Sequence, residues 1–145
     1  MTFTTQVQVR FAHVDAAGIV FYPRYFEMLN GAVEDWFASL GFSFNAMHLH
    51  MRIGVPTVKL ECEFLAPSEL GDVLCISIVP TRLGNTSCAV DYVIRGSGVE
   101  RVRASGVLVC VNLDTRTSMP WPEKLRAKLL ATMAPKVEAQ ADGAR

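Results

Sequence analysis

VRFAHVDAAGIVFYPRYFEMLN, residues 9–30, joins the end of a strand, a short loop and the start of a long helix. Just upstream, Val7, Val9 and Phe11 alternate with Gln6, Gln8 and Arg10, so residues 5–11 are predicted to form a half-buried strand. The run HVDAAG at 13–18 is short and made mostly of small residues, and reads as a turn or loop in which Gly18 supplies backbone freedom. From Pro23 the period becomes helical: Phe26, Leu29, Val33, Trp36, Phe37 and Leu40 recur along one face. Pro23 suits the first helical position, where a missing N–H costs nothing, and Gly41 suits the C-terminal cap. Tyr25 and Met28 widen the apolar arc, as expected of a helix wrapped by a sheet.

Downstream, residues 42–55 have no regular period. Strand-like runs follow at 56–64, 73–82, 86–95 and 100–113, divided by the turns PSELG (67–71), LGN (83–85) and GSG (96–98). Such short turns join antiparallel neighbours. Residues 122–133 read as a short amphipathic helix. The order predicts an α+β fold: a five-stranded antiparallel sheet wrapped around one long helix, in a single domain over 1–135 with a flexible tail at 136–145.

The 145 residues fit one domain, and half of them are hydrophobic, which excludes a disordered chain. A mean hydropathy of +0.25 is high for so small a domain and points to an oligomer interface; a free sheet edge would favour the same outcome. Fourteen basic side chains balance fourteen acidic ones, so no global field exists to hold a nucleic-acid backbone. A small anionic ligand remains open. Cys62, Cys75, Cys88 and Cys110 form no C-x-x-C pair and read as reduced core thiols. The first residues lack the basic and apolar regions of a signal peptide, and no run nears the roughly 20 apolar residues of a membrane span, so a cytoplasmic protein is expected.

Asp15 lies at the end of the strand, before the apolar run Ile19, Val20, Phe21, Tyr22 and a helix start. A helix start offers free N–H groups and the positive end of a dipole. A carboxylate beside it can attack or activate water while the amides hold a developing oxyanion. An Asp in this position is also a common cap or turn former.

D-A-A-G-I-V-F-Y-P-R-Y at 15–25, followed by a helix, resembles the signature of the 4-hydroxybenzoyl-CoA thioesterase family of hotdog proteins. GVPTV at 54–58 with FLAP at 64–67 resembles that family's second strand, and TRLGNTS at 81–87 resembles its turn between the third and fourth strands. The resemblance spans roughly residues 7–125. It implies an acyl-CoA thioesterase with Asp15 as catalytic aspartate, the Tyr22 N–H with Phe21 at the oxyanion-binding helix start, and Gly18 as the loop glycine. It also implies no cofactor beyond the coenzyme A of the substrate, a dimer or homotetramer with the pocket between subunits, and a place in aromatic compound degradation. Members selective for the 4-hydroxybenzoyl group resemble this chain on the helix but carry an acid where it has Asn30. An amide accepts a hydrogen bond without charge assistance, so other benzoyl-type or short acyl groups stay open.

Arg82, beside the Gly84 turn, is a candidate phosphate contact, and Arg116, Arg126 and Lys128 could add charge across a subunit boundary. His13 could orient Asp15. His13, His48 and His50 fit no zinc spacing, so no metal is expected. Ser39 and Ser43 lack a G-x-S-x-G context, and Glu34 and Asp35 read as the helix's solvent face. The alternatives are a hotdog hydratase or dehydratase, which would need a His–carboxylate pair, and a non-catalytic acyl-CoA binding module.

Overall fold

The structure is a computed structural model and describes residues 2–133; the tail expected at 136–145 lies outside the described residues. β1 (Phe3–Gln8) alternates between half-buried and exposed positions. It ends earlier than the alternation predicts. Val9 still points inward, but Phe11 opens a tight turn (Phe11–His13) and is 83% exposed. The ladder stops because the Val9 N–H donates to the Asp72 carbonyl, and the Gly71 N–H to the Val9 carbonyl, in a loop rather than a strand.

α1 (Pro23–Ser39) buries Tyr25, Met28, Leu29, Ala32, Val33, Trp36 and Phe37. Phe26 and Leu40, expected on this face, are half-buried at its margins. Each large side chain so buried contributes about 1.5–3 kcal/mol. The helix ends as predicted: Gly41 has φ +87°, its N–H donates to the Ala38 carbonyl, and the Phe42 N–H reaches back to Phe37. Residues 42–55, irregular in sequence, contain one turn of α2 (Phe44–Ala46), a wide turn (Met47–Met51) and the short β2 (Ile53–Gly54).

β3 (Thr57–Phe64), β4 (Val73–Leu83), β5 (Ser87–Gly96) and β6 (Val99–Val109) complete a five-stranded sheet with β1, in the order β1-β4-β5-β6-β3 and antiparallel throughout. Leu74, Ile76 and Ile78 on β4, Val90, Tyr92 and Ile94 on β5, and Val102, Ala104 and Leu108 on β6 turn inward onto α1. The strand expected to run to Leu113 breaks at Cys110, whose N–H donates to Thr86. β7 (Val111–Asn112) pairs instead with β2 and β8 (Thr117–Ser118) in a small second sheet. α3 (Glu123–Thr132) closes one end through Leu125 and Leu129. Cys88 and Cys110 are buried core thiols as expected, but Cys62 and Cys75 are only half-buried. No helix among the described residues is long and apolar enough to cross a membrane.

β3 is unlike the other strands of the sheet. Like β1 it is an edge strand, but nearly all of its residues are exposed, Val58 by 60% and Phe64 by 48%. Such an edge is a template for another strand.

Candidate active site

The loop between β1 and α1 folds back on itself. The Asp15 N–H donates to the Ile19 carbonyl at 3.1 Å, Val14 and Val20 form an antiparallel bridge, and the Phe21 N–H donates to the His13 carbonyl at 2.9 Å. The Gly18 N–H closes the tip on the Asp15 carbonyl at 2.9 Å, with Gly18 at φ +81°, a conformation that disfavours a side chain. Asp15 is exposed, and its Oδ1 accepts the Ala17 N–H at 2.9 Å. Asp15 is therefore a turn former, and the same bond fixes its carboxylate in place.

Tyr22 caps the seventeen-residue α1. The Phe21 N–H is used by His13, Pro23 has no N–H, and the Arg24 N–H is used by the Phe21 carbonyl. The Tyr22 N–H has no acceptor among the described residues. The first turn therefore presents one free donor at the positive end of the helix dipole. Phe21 serves by holding the clasp, not by offering a second donor.

Beside this donor lies an apolar groove of about 300 Å³ lined by Ile19, Val20, Tyr22, Tyr25, Phe64 and Leu65, with Ala66 and Pro67. The Phe64 ring centroid is 5.8 Å from Tyr22, 5.9 Å from Tyr25 and 6.1 Å from Phe26. The structure divides the aromatics in and just before α1: Phe21 and Tyr22 are exposed at the site, whereas Trp36 and Phe37 are core. Phe64 and Leu65 were not among the sequence candidates. Their signal was the FLAP run at 64–67, which reads as part of a strand and not as part of the site.

The other candidates separate from this group. Asn30 is exposed, eight residues along α1 from Tyr22, about 12 Å at helical rise. Arg82 is exposed near the far end of β4, and its side chain meets no partner among the described residues. It lies ten residues from Asp72, which flanks the Asp15 loop, or about 30 Å along the strand. Arg126 donates to the Gly84 carbonyl at 2.9 Å, so it joins Arg82 at the β4–β5 turn within one chain. Lys128 is exposed on α3, and Arg116 occupies the β7–β8 turn.

His13 does not orient Asp15. Its Nδ1 accepts the Arg10 N–H at 2.8 Å, and it serves the loop through its carbonyl. No hydrogen bond or ion pair joins His13 to Asp15, so the pair required by a hydratase is not assembled. His48 bonds the Phe44 carbonyl, Ser39 the Trp36 carbonyl and Ser43 the Ala46 N–H, all local contacts. Among the described residues no three His, Cys, Asp or Glu side chains converge on a metal position.

The family model described as the thioesterase-like superfamily matches residues 9–129. A 1,4-dihydroxy-2-naphthoyl-CoA hydrolase of Thermosynechococcus vestitus is 32% identical over 125 residues, covering 86% of each chain. The crystal structure of a 1,4-dihydroxy-2-naphthoyl-CoA thioesterase from Synechocystis superposes with a TM-score of 0.83 at 28% identity, covering 93% of this chain and all of that one. A gentisyl-coenzyme A thioesterase superposes with a TM-score of 0.79 at 27% identity, covering 88% of this chain and 99% of that one.

Proposed function

The chain belongs to the thioesterase-like superfamily, and from that premise we propose that it hydrolyses an aromatic acyl-CoA, with Asp15 as catalytic carboxylate and the Tyr22 N–H as oxyanion donor. Thioester hydrolysis goes with the membership; the acyl group and the residue roles are the proposal. One observation carries it. The unpaired Tyr22 N–H at the start of α1 shares a clasped loop with the exposed Asp15 and opens beside an apolar groove.

In the reaction, acyl-CoA and water give a carboxylic acid and free coenzyme A thiol. The thioester oxygen meets the Tyr22 N–H and gains negative charge as the carbonyl carbon becomes tetrahedral. One well-aimed donor of this type contributes about 3 kcal/mol. Asp15 either attacks the carbon, expelling the CoA thiolate and leaving a mixed anhydride for water to cleave, or takes a proton from the attacking water. Thiolate leaves readily, so no acid is needed at sulfur. The names of the relatives specify aromatic acyl groups with ring hydroxyls, and the rings of Tyr22, Tyr25 and Phe64 offer faces for one.

The proposal includes a second copy. Phe64 lies at the end of β3 nearest the Asp15 loop, and Thr57 at the end nearest the β4–β5 turn. If two β3 edges pair antiparallel about a two-fold axis, the partner's β4–β5 turn comes to the end where this chain keeps Asp15. Arg82 and Arg126 then serve the coenzyme A phosphates of the opposite site, which their distance within one chain otherwise prevents. The four free thiols suit a reducing, cytoplasmic location.

The test is thiol release from benzoyl-, dihydroxybenzoyl-, dihydroxynaphthoyl-, phenylacetyl- and acetyl-CoA. Hydrolysis of the hydroxylated aromatic thioesters ahead of acetyl-CoA supports the reading; a protein active on acetyl-CoA alone refutes the aromatic assignment.

A further inference from the structure

One buried charge has no part in the chemistry above. The Arg101 side chain is 10% exposed, in a sheet whose other inward residues are apolar. Its Nη1 donates to the Pro67 carbonyl at 3.0 Å, to Ser68 Oγ at 3.1 Å and to Asp72 Oδ2 at 2.9 Å; its Nη2 donates to the Gly96 carbonyl at 3.0 Å. Gly96 makes room for it, since a Cβ there would stand 2.7 Å from Nη2. Burying a guanidinium is costly unless its donors are matched, and here three of the four acceptors lie on one short segment, residues 67–72.

That segment is what the site loop rests on. Ser68 is fully buried. Its carbonyl accepts the Val20 N–H at 2.9 Å, and Ile19 bridges to Glu69. Its hydroxyl meets the Tyr25 hydroxyl at 2.9 Å, on the first turn of α1. The loop is tied to the same segment at its start, where the Val9 N–H donates to the Asp72 carbonyl and the Gly71 N–H to the Val9 carbonyl, and its bonds through His13, Asp15 and Ile19 are internal to it. Ser68 therefore touches both halves of the site at once: the loop that carries Asp15, and the helix start that carries the Tyr22 N–H.

We propose that Ser68, held by the buried Arg101 guanidinium, is a positioning residue that sets the Asp15 loop against the first turn of α1. This rests on the thioesterase reading of those two groups. Asp15 and the Tyr22 N–H must converge on one carbonyl, and a misplacement of about 1 Å is enough to cost up to 100-fold in rate. A charged clamp on an otherwise exposed loop is a way to prevent that drift.

The test uses Ser68→Ala and Tyr25→Phe, each of which removes one hydroxyl and leaves Arg101 paired with Asp72. Ser105→Ala, which removes an exposed hydroxyl bonded to Asp91, is the control. We expect kcat on a hydrolysed thioester to fall about tenfold with KM within about twofold. The Val20 amide should exchange with solvent at least about tenfold faster, beyond what the fall of a few degrees in melting temperature from the lost buried hydrogen bond accounts for. Unchanged kcat, or a loss of rate that merely follows a loss of melting temperature while Val20 stays protected, overturns the proposal. If the wild type cleaves no thioester, the functional reading fails separately. Val20 exchange then still decides whether Ser68 pins the loop: faster exchange in the variants supports the pin, and retained protection overturns it.

Discussion

The backbone N–H of Phe21 donates to the carbonyl of His13 at 2.9 Å, and this bond decides which donor the helix start leaves free. It consumes the amide before Tyr22 and closes the loop on which Asp15 sits. The carboxylate and the free N–H are thus products of one clasp.

Asp15→Asn tests the carboxylate cleanly. The Oδ1 that accepts the Ala17 N–H at 2.9 Å persists in an amide, so the turn survives while the charge and the basicity go. The expected outcome is a loss of kcat of about 100-fold or more, with circular dichroism and melting temperature nearly unchanged. Activity within a few-fold of wild type would remove Asp15 from the mechanism.

The donor can be deleted without deleting the helix. Tyr22 has φ −55°, which a proline ring accepts, so Tyr22→Pro removes the N–H and little of the backbone geometry. Tyr22→Ala removes the same ring but keeps the N–H. The proline variant should lose about 100- to 1,000-fold in kcat, the alanine variant far less. Equal losses in the two would assign the effect to the ring.

The fold was legible because its periods are clean. The helical stripe from Tyr25 to Phe37 and the alternation in β4, β5 and β6 fix which faces meet, and the short turns fix antiparallel order. The errors fell where a chain-distant partner decides. Val9 bonds Asp72 and Gly71, which ends β1 before Phe11; Cys110 bonds Thr86, which breaks a run that reads as one strand. In the candidate site, the grouping of Asp15, Gly18 and Tyr22 on one loop was legible because they are adjacent in one motif. Phe64 and Ser68 were not, since only the pairing of β3 with β6 and the Arg101 clamp bring them to the loop. The exposed edge of β3 was foreshadowed by excess hydropathy, which cannot say which surface is apolar.

Asp72 gives the fold an acid-sensitive joint. The Glu69 N–H and the Arg101 side chain hold its carboxyl below the ordinary value of 3.8. Because the folded value is depressed, its contribution is fully present above the ordinary value and is lost as pH falls through the lower folded one. Asp72→Asn should lower stability near neutral pH by about 1–3 kcal/mol and flatten the decline of melting temperature below about pH 4. Parallel wild-type and variant curves between pH 7 and 3 would show that the pair does not couple folding to acid.

The paired-edge arrangement makes a prediction that a self-sufficient monomer cannot meet. If Arg82 serves the Asp15 of the opposite chain, then Asp15→Asn and Arg82→Glu damage different halves of the same site. In a dimer mixed from the two variants, one site combines both damaged groups and the other combines both intact ones. With random pairing half the dimers are mixed, and one of their two sites is intact, so about a quarter of wild-type activity should return on co-refolding two weak variants. The recovery should vanish when Val58→Asp is added to both chains, since a charge on the exposed edge of β3 opposes strand pairing and should halve the mass seen by light scattering. If mixing restores nothing while the dimer persists, Arg82 serves its own chain's site or none, and the crossed arrangement is wrong.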